Sequence, residues 1–577
     1  MGIFECRTRE SSPKRRKICK NSMKTENDTS SRVLGSKGLI RKHEFVRIII
    51  QCLLSLGFAK SASCLESESG ISCKSKEFEV IESEILNSKW DECLKFLNGI
   101  KELSDETRSS ALFLVIRQYL MECLSHGDDS TALAFLQKRV SSLKLGTEKV
   151  HNLALDMLIN KDASVIETNG NVYELRKKLL VELENLLPPP ITLPERRLEH
   201  LVETVAASQI DSCLYHNFSG AVSIYEDHCC GRDQIPNETL QILTAHKNEV
   251  WFVQFSYSGE YLASSSRDCT AIIWKVVDDG KFTVKHALQS HQKAISFVAW
   301  SPDDTMLLTC GNVEVVKLWD VETGVCKRTF GDHGFIVSSC AWFPDSKKLV
   351  CGSSDTEKGI CMWDCEGNEL RAWRGARMPK VLDLAVTSDG NHLITVFSDK
   401  DIRILNVVTN AEHVISEEHP ITSLSVSADG KFFIVNLNSQ EIHLWDVEGK
   451  WRKPLKYTGH KQNQYVIRSC FGGFNSSFIA SGSENSEVYI WNRQKSEPIA
   501  ILSGHSMTVN SVSWNPRNPH MLASASDDHT VRVWGPAKSK ADKVLSSIRV
   551  PVTPEQFLKG MTVRDDSDSP ESYLVFY

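Results

Sequence analysis

The sequence predicts a chain in two parts, an α-helical N-terminal half followed by a seven-bladed β-propeller. The propeller is predicted by a repeated phrase that ends on tryptophan, as in LASSSRDCTAIIW at 262–274 and LASASDDHTVRVW at 522–534. Successive phrases lie 43 to 46 residues apart, except for one step of 82 residues whose midpoint places Leu405 in the tryptophan position. A period of about 40–45 residues is typical of four-stranded propeller blades. The phrases end at Trp274, Trp319, Trp363, Trp445, Trp491 and Trp534.

The composition is that of a soluble globular protein, with 41% hydrophobic and 24% charged residues among 577. The net charge of −6 is small for this length, so no overall field favours nucleic acid or acidic membranes. The longest apolar stretch, at 45–59, is interrupted by Arg47 and Gln51 and is too short to span a bilayer. We therefore expect neither nucleic acid nor a membrane among the binding partners.

The 18 cysteines are scattered, and no two CxxC motifs occur at the spacing of a zinc site. Cys229 and Cys230 are adjacent, and Cys361 and Cys365 are separated by three residues. We expect reduced, packed thiols without a metal or cofactor, in a cytoplasmic protein. A nuclear pool is the alternative, because the basic run at 14–17 has the composition of a nuclear localisation signal as well as that of a solvated tail.

Histidines precede the first predicted strand of six units, and a turn rich in Asp, Gly, Pro or Asn follows that strand. They are His246, His291, His333, His419, His460 and His505. The unit resembles the WD repeat, and the dipeptide itself occurs at 319–320, 363–364 and 445–446. The resemblance implies a buried hydrogen-bonded series of histidine, serine or threonine, aspartate and tryptophan. Such a series must be fully satisfied, so we assign its aspartates a structural role. Two units carry the full set, which is His246, Ser264, Asp268 and Trp274 in one and His505, Ser524, Asp528 and Trp534 in the other.

Other units have lost members of the series. Cys351 takes the serine position of the third unit, Val313 the aspartate position of the second, and Asn485 that of the sixth. A ring tolerates these losses because each blade is also held by two neighbours. We expect residues 239–243, TLQIL, to join the last blade as its outer strand and so to close the ring.

The helical half begins with a predicted hairpin. Apolar residues recur at helical spacing, Gly57 ends the first helix, and Ser61 can cap the second. The stretch IIIQCLLSLGFAKSASCLESES resembles a LisH motif, and two helices this short cannot bury a core alone. Size and resemblance both imply a homodimer, and the alternative is a hairpin packed on its own chain. The residues predicted to pair are Val46, Ile49, Ile50, Leu53 and Leu65.

The next segment, FEVIESEILNSKWDECLKFLNGI at 78–100, resembles a CTLH domain. We predict a disordered basic tail at 1–36, a LisH motif at 37–70, a CTLH domain at 71–135, a CRA-like helical extension at 136–215, the propeller at 225–537 and a largely disordered tail at 538–577.

This order of domains resembles the WD-repeat subunit of the CTLH (GID) ubiquitin ligase complex over residues 37–537. The resemblance implies a non-catalytic scaffold that binds CTLH-type subunits, including a Ran-binding-protein-like scaffold, and captures substrates or regulators on its propeller. A Topless-like transcriptional corepressor is one alternative, although that family carries two propellers. A cullin-RING substrate receptor is another, although no WDxR motif ends a blade here. We predict no enzyme, because GxSxG, P-loop and HExxH motifs are missing.

Propellers bind partners on the face built by the loops before each first strand and the turns between second and third strands. We call this the loop face. Its mixed-charge rim is predicted to recognise a peptide or a folded partner, and ordinary solvated loop residues are the alternative. The repeat register places on it Trp251, Arg267, Arg377, Glu484, Asn510 and Asp527.

Overall fold

The chain divides into two compact units, Met1–Ala207 (the helical unit) and Ser208–Tyr577 (the propeller unit). Among the described helices, none is long and apolar enough to cross a bilayer. The described residues do not include Val313, His333 and Arg377, the N-terminal residues 1–32, residues 136–171 of the predicted extension or the C-terminal tail from residue 537. The structure is a computed structural model that describes residues 33–35, 38–101, 103–125, 130, 134–135, 172–189, 191–277, 280–311, 315–330, 337–355, 357, 359–374 and 378–536.

Seven α-helices are described in the N-terminal part of the chain. They are preceded by a two-stranded sheet of β1 (Val33–Leu34) and β2 (Ile40–Arg41), although the sequence analysis assigned residues 33–36 to the tail. The helices are α1 (Lys42–Ser55), α2 (Ala59–Ser69), α3 (Lys76–Leu86), α4 (Trp90–Gly99), α5 (Asp105–Ser125), α6 (Val172–Leu186) and α7 (Arg197–Ser212).

The turn between α1 and α2 follows from Gly57, whose φ of 86° lies in the left-handed region. The Gly57 amide donates to Leu54 O and the Phe58 amide to Leu53 O, which satisfies carbonyls at the end of α1. The predicted cap at Ser61 is wrong. Helix α2 begins at Ala59 with Phe58 in the N-cap position, so Ser61 lies within the first turn of that helix.

The helical unit has its own apolar core between α3, α4, α5 and α6, with Ile81, Leu94, Val115 and Leu183 fully or almost fully buried. Helix α3 begins at a serine cap, where Ser75 Oγ accepts from the Phe78 amide at 3.1 Å. Within this core, Arg176 forms a bidentate ion pair with Glu122, at 3.0 and 2.8 Å.

The propeller has seven four-stranded antiparallel sheets, as the sequence predicted. The first six blades are β4–β7 (Val250–Phe255, Tyr261–Ser266, Thr270–Val276, Phe282–Gln289), β8–β11 (Ile295–Trp300, Met306–Gly311, Val316–Asp320, Cys326–Phe330), β12–β15 (Val337–Trp342, Lys348–Ser353, Ile360–Asp364, Glu369–Trp373), β16–β19 (Val381–Val386, His392–Phe397, Asp401–Asn406, Glu412–Ser416), β20–β23 (Ile421–Val426, Phe432–Leu437, Glu441–Asp446, Leu455–Thr458) and β24–β27 (Ser469–Gly472, Phe478–Ser481, Glu487–Asn492, Pro498–Ser503).

The seventh blade is assembled from the two ends of the propeller sequence. Its inner strands are β28 (Val509–Trp514), β29 (Leu522–Ser526) and β30 (Val531–Gly535), and its outer strand is β3 (Glu238–Leu243). Strand β3 pairs antiparallel with β30, so that Leu243 lies opposite Val531. The predicted closure by residues 239–243 is therefore present, and it removes the free sheet edge that an open ring would expose.

Hydrogen bonds join all four members of the series in blades 1 and 7. In blade 7, Trp534 Nε1 donates to Ser524 Oγ at 2.7 Å, Ser524 Oγ lies 2.8 Å from His505 Nε2, and His505 Nδ1 lies 2.8 Å from Asp528 Oδ2. A neutral histidine with its proton on Nδ1 satisfies every member. The corresponding distances in blade 1 are 2.9, 2.8 and 3.1 Å, through Trp274, Ser264, His246 and Asp268.

Blade 5 replaces this series by another one. His419 is exposed, although the sequence analysis assigned it to the repeat position. Trp445 Nε1 donates to Glu417 Oε1 at 2.7 Å instead, and Glu417 Oε2 lies 2.9 Å from His443 Nδ1. Glu417, two residues before His419, thus accepts the hydrogen bond from the tryptophan that a serine accepts in blades 1 and 7.

We predict that acid destabilises the propeller through His291. Burial, and secondarily the nearby Lys317, lower the pKa of His291 to about 4. The unfolded chain binds a proton at this histidine below about pH 6.5, whereas the folded chain does so only near pH 4, so stability falls as the pH drops across that window. In His291→Gln, the urea midpoint of the propeller should depend less steeply on pH between pH 7 and pH 4.

The matched control is His419→Gln, because His419 is exposed. Its midpoint should follow the same pH dependence as the parent chain. An unchanged slope in His291→Gln would contradict the assignment.

Candidate functional site: the loop face of the propeller

Glu249 organises the loop face at blade 1. Its Oε1 accepts from Arg267 Nη1 at 2.8 Å, and its Oε2 accepts from Trp251 Nε1 at 3.0 Å. The Arg267 side chain remains 55% exposed, so this ion pair is screened by solvent and leaves the guanidinium accessible. Sequence reasoning assigned Trp251 and Arg267 to this face but missed the carboxylate that orients both.

Blade 7 contributes Asn510 and Asp527 beside this cluster. Asn510 Nδ2 donates to Asp527 Oδ1 at 2.6 Å and to Val250 O at 3.0 Å, and so ties blade 7 to blade 1. Asn510 is buried, so its amide holds the two blades together and offers little surface to a partner. Burial raises the pKa of Asp527, against the hydrogen bond from Asn510.

Glu484 is engaged by its own neighbourhood. Its Oε1 accepts from the backbone amides of Asn463, Gln464 and Tyr465 at 2.8, 2.7 and 3.0 Å. Burial acts to raise the pKa of Glu484, but these three donors outweigh it and lower the pKa. Glu484 therefore shapes the loop before blade 6 rather than projecting a free carboxylate.

Three apolar side chains on the loop face were missed by sequence reasoning. Met507 in the loop before blade 7, and Tyr465 and Val466 in the loop before blade 6, are each about half exposed. The signal available in the sequence was an apolar residue inside a segment otherwise read as loop, in HSMTV and QNQYV. Together with Arg267 and Trp251, they give the face the aromatic, methionine and arginine content that is enriched in protein interfaces.

A buried ion pair lies at the centre of the ring. Asp383 in blade 4 is 1% exposed, and its Oδ2 accepts from Arg468 Nη1 at 2.8 Å. Asp383 also accepts from Ser339 Oγ in blade 3 at 2.7 Å and from the Leu424 amide in blade 5 at 3.0 Å.

Arg468 contacts the remaining blades, which are blades 1, 2 and 7. Its guanidinium lies 5.2 Å from the ring of Phe252 and 4.9 Å from that of Phe297, and its amide donates to Asn510 O. The pair and its neighbours thus link the inner strands of all seven blades, which makes the central channel a structural element of the ring.

The predicted dimerisation residues are distributed unevenly over α1 and α2. Ile50 is fully buried within the helical unit, so it has no surface to offer a second chain. Val46, Ile49, Leu53 and Leu65 are half-buried. The guanidinium of Arg47 donates to Cys73 O and Ile191 O. These bonds hold the side of α1 that carries Arg47 and Ile50 against its own chain.

The exposed apolar residues of the hairpin lie at its turn. Leu54, Leu56 and Phe58 are 45%, 57% and 57% exposed. Spacing alone does not tell exposed residues such as Leu54 from buried ones such as Ile50, because both belong to one apolar stretch of sequence. The contacts of Arg47 decide which side of α1 is covered by its own chain.

Fold and site define a class of protein, namely a WD-repeat propeller protein with a LisH-containing helical N-terminal region. Residues 31–75 match the family described as WDR26 Lis-homology domain. WD domain, G-beta repeats match at 237–275, 282–320, 324–364, 451–492 and 496–535. The gap at 365–450 covers blade 4 and most of blade 5, whose strands still form although their repeat signature is eroded.

Relatives match the chain along most of its length. It is 65% identical to "WD repeat-containing protein WDS homolog" of Arabidopsis thaliana, over 85% of this chain and 95% of the relative. It is 45% identical to "WD repeat-containing protein 26 homolog" of the same plant, over 85% of this chain and 84% of the relative. It is 34% identical to "GID complex subunit 7" of Schizosaccharomyces pombe, over 83% of this chain and 94% of the relative. The chain belongs to this family of WD repeat-containing protein 26 homologues.

Proposed function

We propose that the chain is a non-catalytic subunit of a GID/CTLH-type ubiquitin ligase complex, which binds other CTLH-type subunits through its helical unit and substrates or regulators through its propeller. The observation that carries this proposal is the similarity to "GID complex subunit 7", which extends over 94% of that relative and therefore includes both parts of the chain.

The loop face supports the second half of this proposal. It combines an accessible guanidinium at Arg267, an oriented indole at Trp251 and three half-exposed apolar side chains, Met507, Tyr465 and Val466. Aromatic and arginine side chains dominate binding energy in protein interfaces. A protein segment that carries an acidic residue beside apolar anchors is the kind of partner that this surface fits.

We predict that Arg267→Glu combined with Met507→Asp lowers the recovery of propeller-bound partners by about tenfold or more, since 1.4 kcal/mol corresponds to a factor of ten. The measurement is quantitative affinity capture of the full-length chain from cells, followed by mass spectrometry. CTLH-type subunits should be recovered in unchanged amounts, because these two substitutions leave the helical unit untouched.

The matched control is Arg517→Glu. Arg517 is exposed in the turn between β28 and β29, at the opposite end of the strands from the loop face. Arg517→Glu should recover the same binding partners in the same amounts as the parent chain. Equal loss in the control, or no loss in the double variant, would count against the loop face; failure of the parent chain to recover CTLH-type subunits would count against complex membership itself.

The helical unit supports self-association through the apolar turn of the LisH hairpin. We predict that Leu54→Asp with Phe58→Asp shifts the full-length chain from dimer toward monomer in light scattering, because each substitution introduces a charge where a second copy would bury a half-exposed apolar side chain. Both positions are exposed in the single chain, so its core is not disturbed. Tyr225→Asp, at a 94% exposed position in the propeller unit, is the control. An unchanged molar mass would overturn this surface as the pairing interface.

A further inference from the structure

The segment that follows α7 is anchored on the propeller at the end opposite the loop face. Asn217 is fully buried there, and its Nδ2 donates to Pro519 O at 2.7 Å and to Gln234 O at 2.8 Å. Its Oδ1 accepts from the Phe474 amide at 2.8 Å. Residues 213–216, which precede Asn217, lie beside residues 228–230, which follow it. The segment between them therefore forms a loop whose two ends are in contact.

Three ligand side chains, those of Cys213, His228 and Cys230, form a compact group where the two ends of this loop meet, and His216 borders the group beside His228 and Cys230. The ligand atoms of Cys213, His228 and Cys230 all lie within 4.8 Å of one another. His228 Nε2 lies 3.3 Å from Cys230 Sγ, while His216 Nδ1 lies 2.9 Å from His228 Nε2 and 3.9 Å from Cys230 Sγ. All four side chains are buried or half-buried, whereas the adjacent Cys229 is exposed.

The separations of 3.3 and 3.9 Å from Cys230 Sγ are close to those of a tetrahedral metal cage, and the 2.9 Å between the two histidine nitrogens is shorter, so this pair has to open when an ion binds. Zinc binds cysteine sulfur at about 2.3 Å and histidine nitrogen at about 2.0–2.1 Å in tetrahedral geometry, which sets neighbouring ligand atoms roughly 3.3–3.8 Å apart. Two thiolates and two imidazoles form a closed set of four protein ligands, which is the composition of structural rather than catalytic zinc sites. No carboxylate belongs to the set, which disfavours calcium or magnesium.

The surroundings already hold individual ligands in place. The Cys230 amide donates to Cys213 Sγ at 3.3 Å, an interaction that stabilises a thiolate. Gln209 accepts from the His228 amide at 3.2 Å and donates to Asp227 at 2.8 Å, and so fixes the backbone that carries His228. Hydrogen bonds to the residues that carry the ligands orient those ligands toward the metal.

We propose that Cys213, His216, His228 and Cys230 bind one structural Zn²⁺ ion. Binding forms two Zn–S and two Zn–N bonds, and the two thiol protons are released to solvent, with no change in oxidation state. The ion closes a loop over residues 217–227, whose tip carries the exposed Ile224 and Tyr225, and holds that loop against the propeller beside Asn217. The sequence predicted packed thiols, because the spacings Cys-x2-His at 213–216 and His-x-Cys at 228–230 do not form a pair of CxxC motifs at zinc spacing.

The test measures metal in the untagged full-length chain, purified without chelators, by inductively coupled plasma mass spectrometry. We expect one zinc ion per chain in the parent, none in Cys213→Ser with Cys230→Ser, and one in the matched control Cys229→Ser. A parent chain that takes up no zinc on dialysis against it, or a Cys213–Cys230 disulfide found by mass spectrometry of the freshly purified protein, would overturn the site. So would equal loss of zinc in the Cys229→Ser control.

Cobalt substitution keeps the proposal testable if the double variant does not fold. The Co²⁺-loaded parent should show thiolate-to-cobalt charge transfer and the intense visible bands of tetrahedral cobalt. Cys230→His should retain the ion with weaker charge transfer, because one of two thiolates is lost, and His216→Gln should keep the charge transfer but change the visible bands. Identical spectra for His216→Gln and the parent would exclude His216 as the fourth ligand, and octahedral bands in the parent would contradict the cage.

Discussion

Replacing Asp383 by alanine is expected to lower the free energy of unfolding of the propeller by about 3–5 kcal/mol, the range observed when one partner of a buried ion pair is removed. Asp383 is 1% exposed, and its carboxylate accepts hydrogen bonds from blades 3, 5 and 6 as well as from its own strand. Its loss leaves the Arg468 guanidinium without its carboxylate in the central channel. The measurement is urea unfolding followed by tryptophan fluorescence.

Two further variants separate the ion pair from general damage. Glu366→Ala changes an exposed carboxylate in a turn of blade 3 and should shift the midpoint little. The double variant Asp383→Leu with Arg468→Leu removes both charges. Its loss of unfolding free energy should be smaller than the sum of the losses in Asp383→Leu alone and Arg468→Leu alone. Strict additivity would show that the two residues do not act as a pair.

Replacing Trp534 by alanine is expected to lower the free energy of unfolding by about 3–5 kcal/mol, because a fully buried large aromatic side chain is removed from a packed core. Trp534 is 2% exposed, and its indole donates to Ser524 at 2.7 Å. It lies on β30, the strand with which β3 closes the ring, so the loss should be felt at the closure. Hydrogen exchange of the β3 and β30 amides should accelerate more than that of blade 4.

Trp534→Phe separates packing from hydrogen bonding in the same position. It retains most of the apolar contact and loses the donor to Ser524, so we expect a smaller destabilisation of about 1–3 kcal/mol. If both variants destabilise equally, the hydrogen-bonded series rather than the packing dominates at this position. Trp251→Ala on the loop face is the surface control, since that side chain is only half-buried.

The number of blades could be predicted because the repeat is written into the sequence at a constant period. Even blade 4, where Leu405 replaces the tryptophan, keeps its place, since the spacing between its neighbours leaves room for one unit only. Strand β3 could be predicted for the same reason, because a closed ring needs a fourth strand for its last blade.

The identity of hydrogen-bond partners was less predictable where the repeat is eroded. His419 occupies the expected sequence position in blade 5, yet Glu417 accepts the bond from Trp445. A longer side chain reaches the same point from a different position, and sequence alignment to a repeat cannot register such an exchange. Asn510 stays a predicted rim residue, and only the structure shows that its amide also joins blade 7 to blade 1.

The sequence by itself determined the class of fold, the count of blades and the strand that closes the ring, because each follows from periodic spacing along one chain. Only the tertiary structure decided which residues meet across the ring or across a loop. Asp383 and Arg468 lie 85 residues apart, and Cys213 and Cys230 belong to no recognised spacing, yet folding brings each pair together. Local patterns specify strands and turns, whereas these contacts depend on how seven sheets close around one axis and on where the preceding segment packs against them.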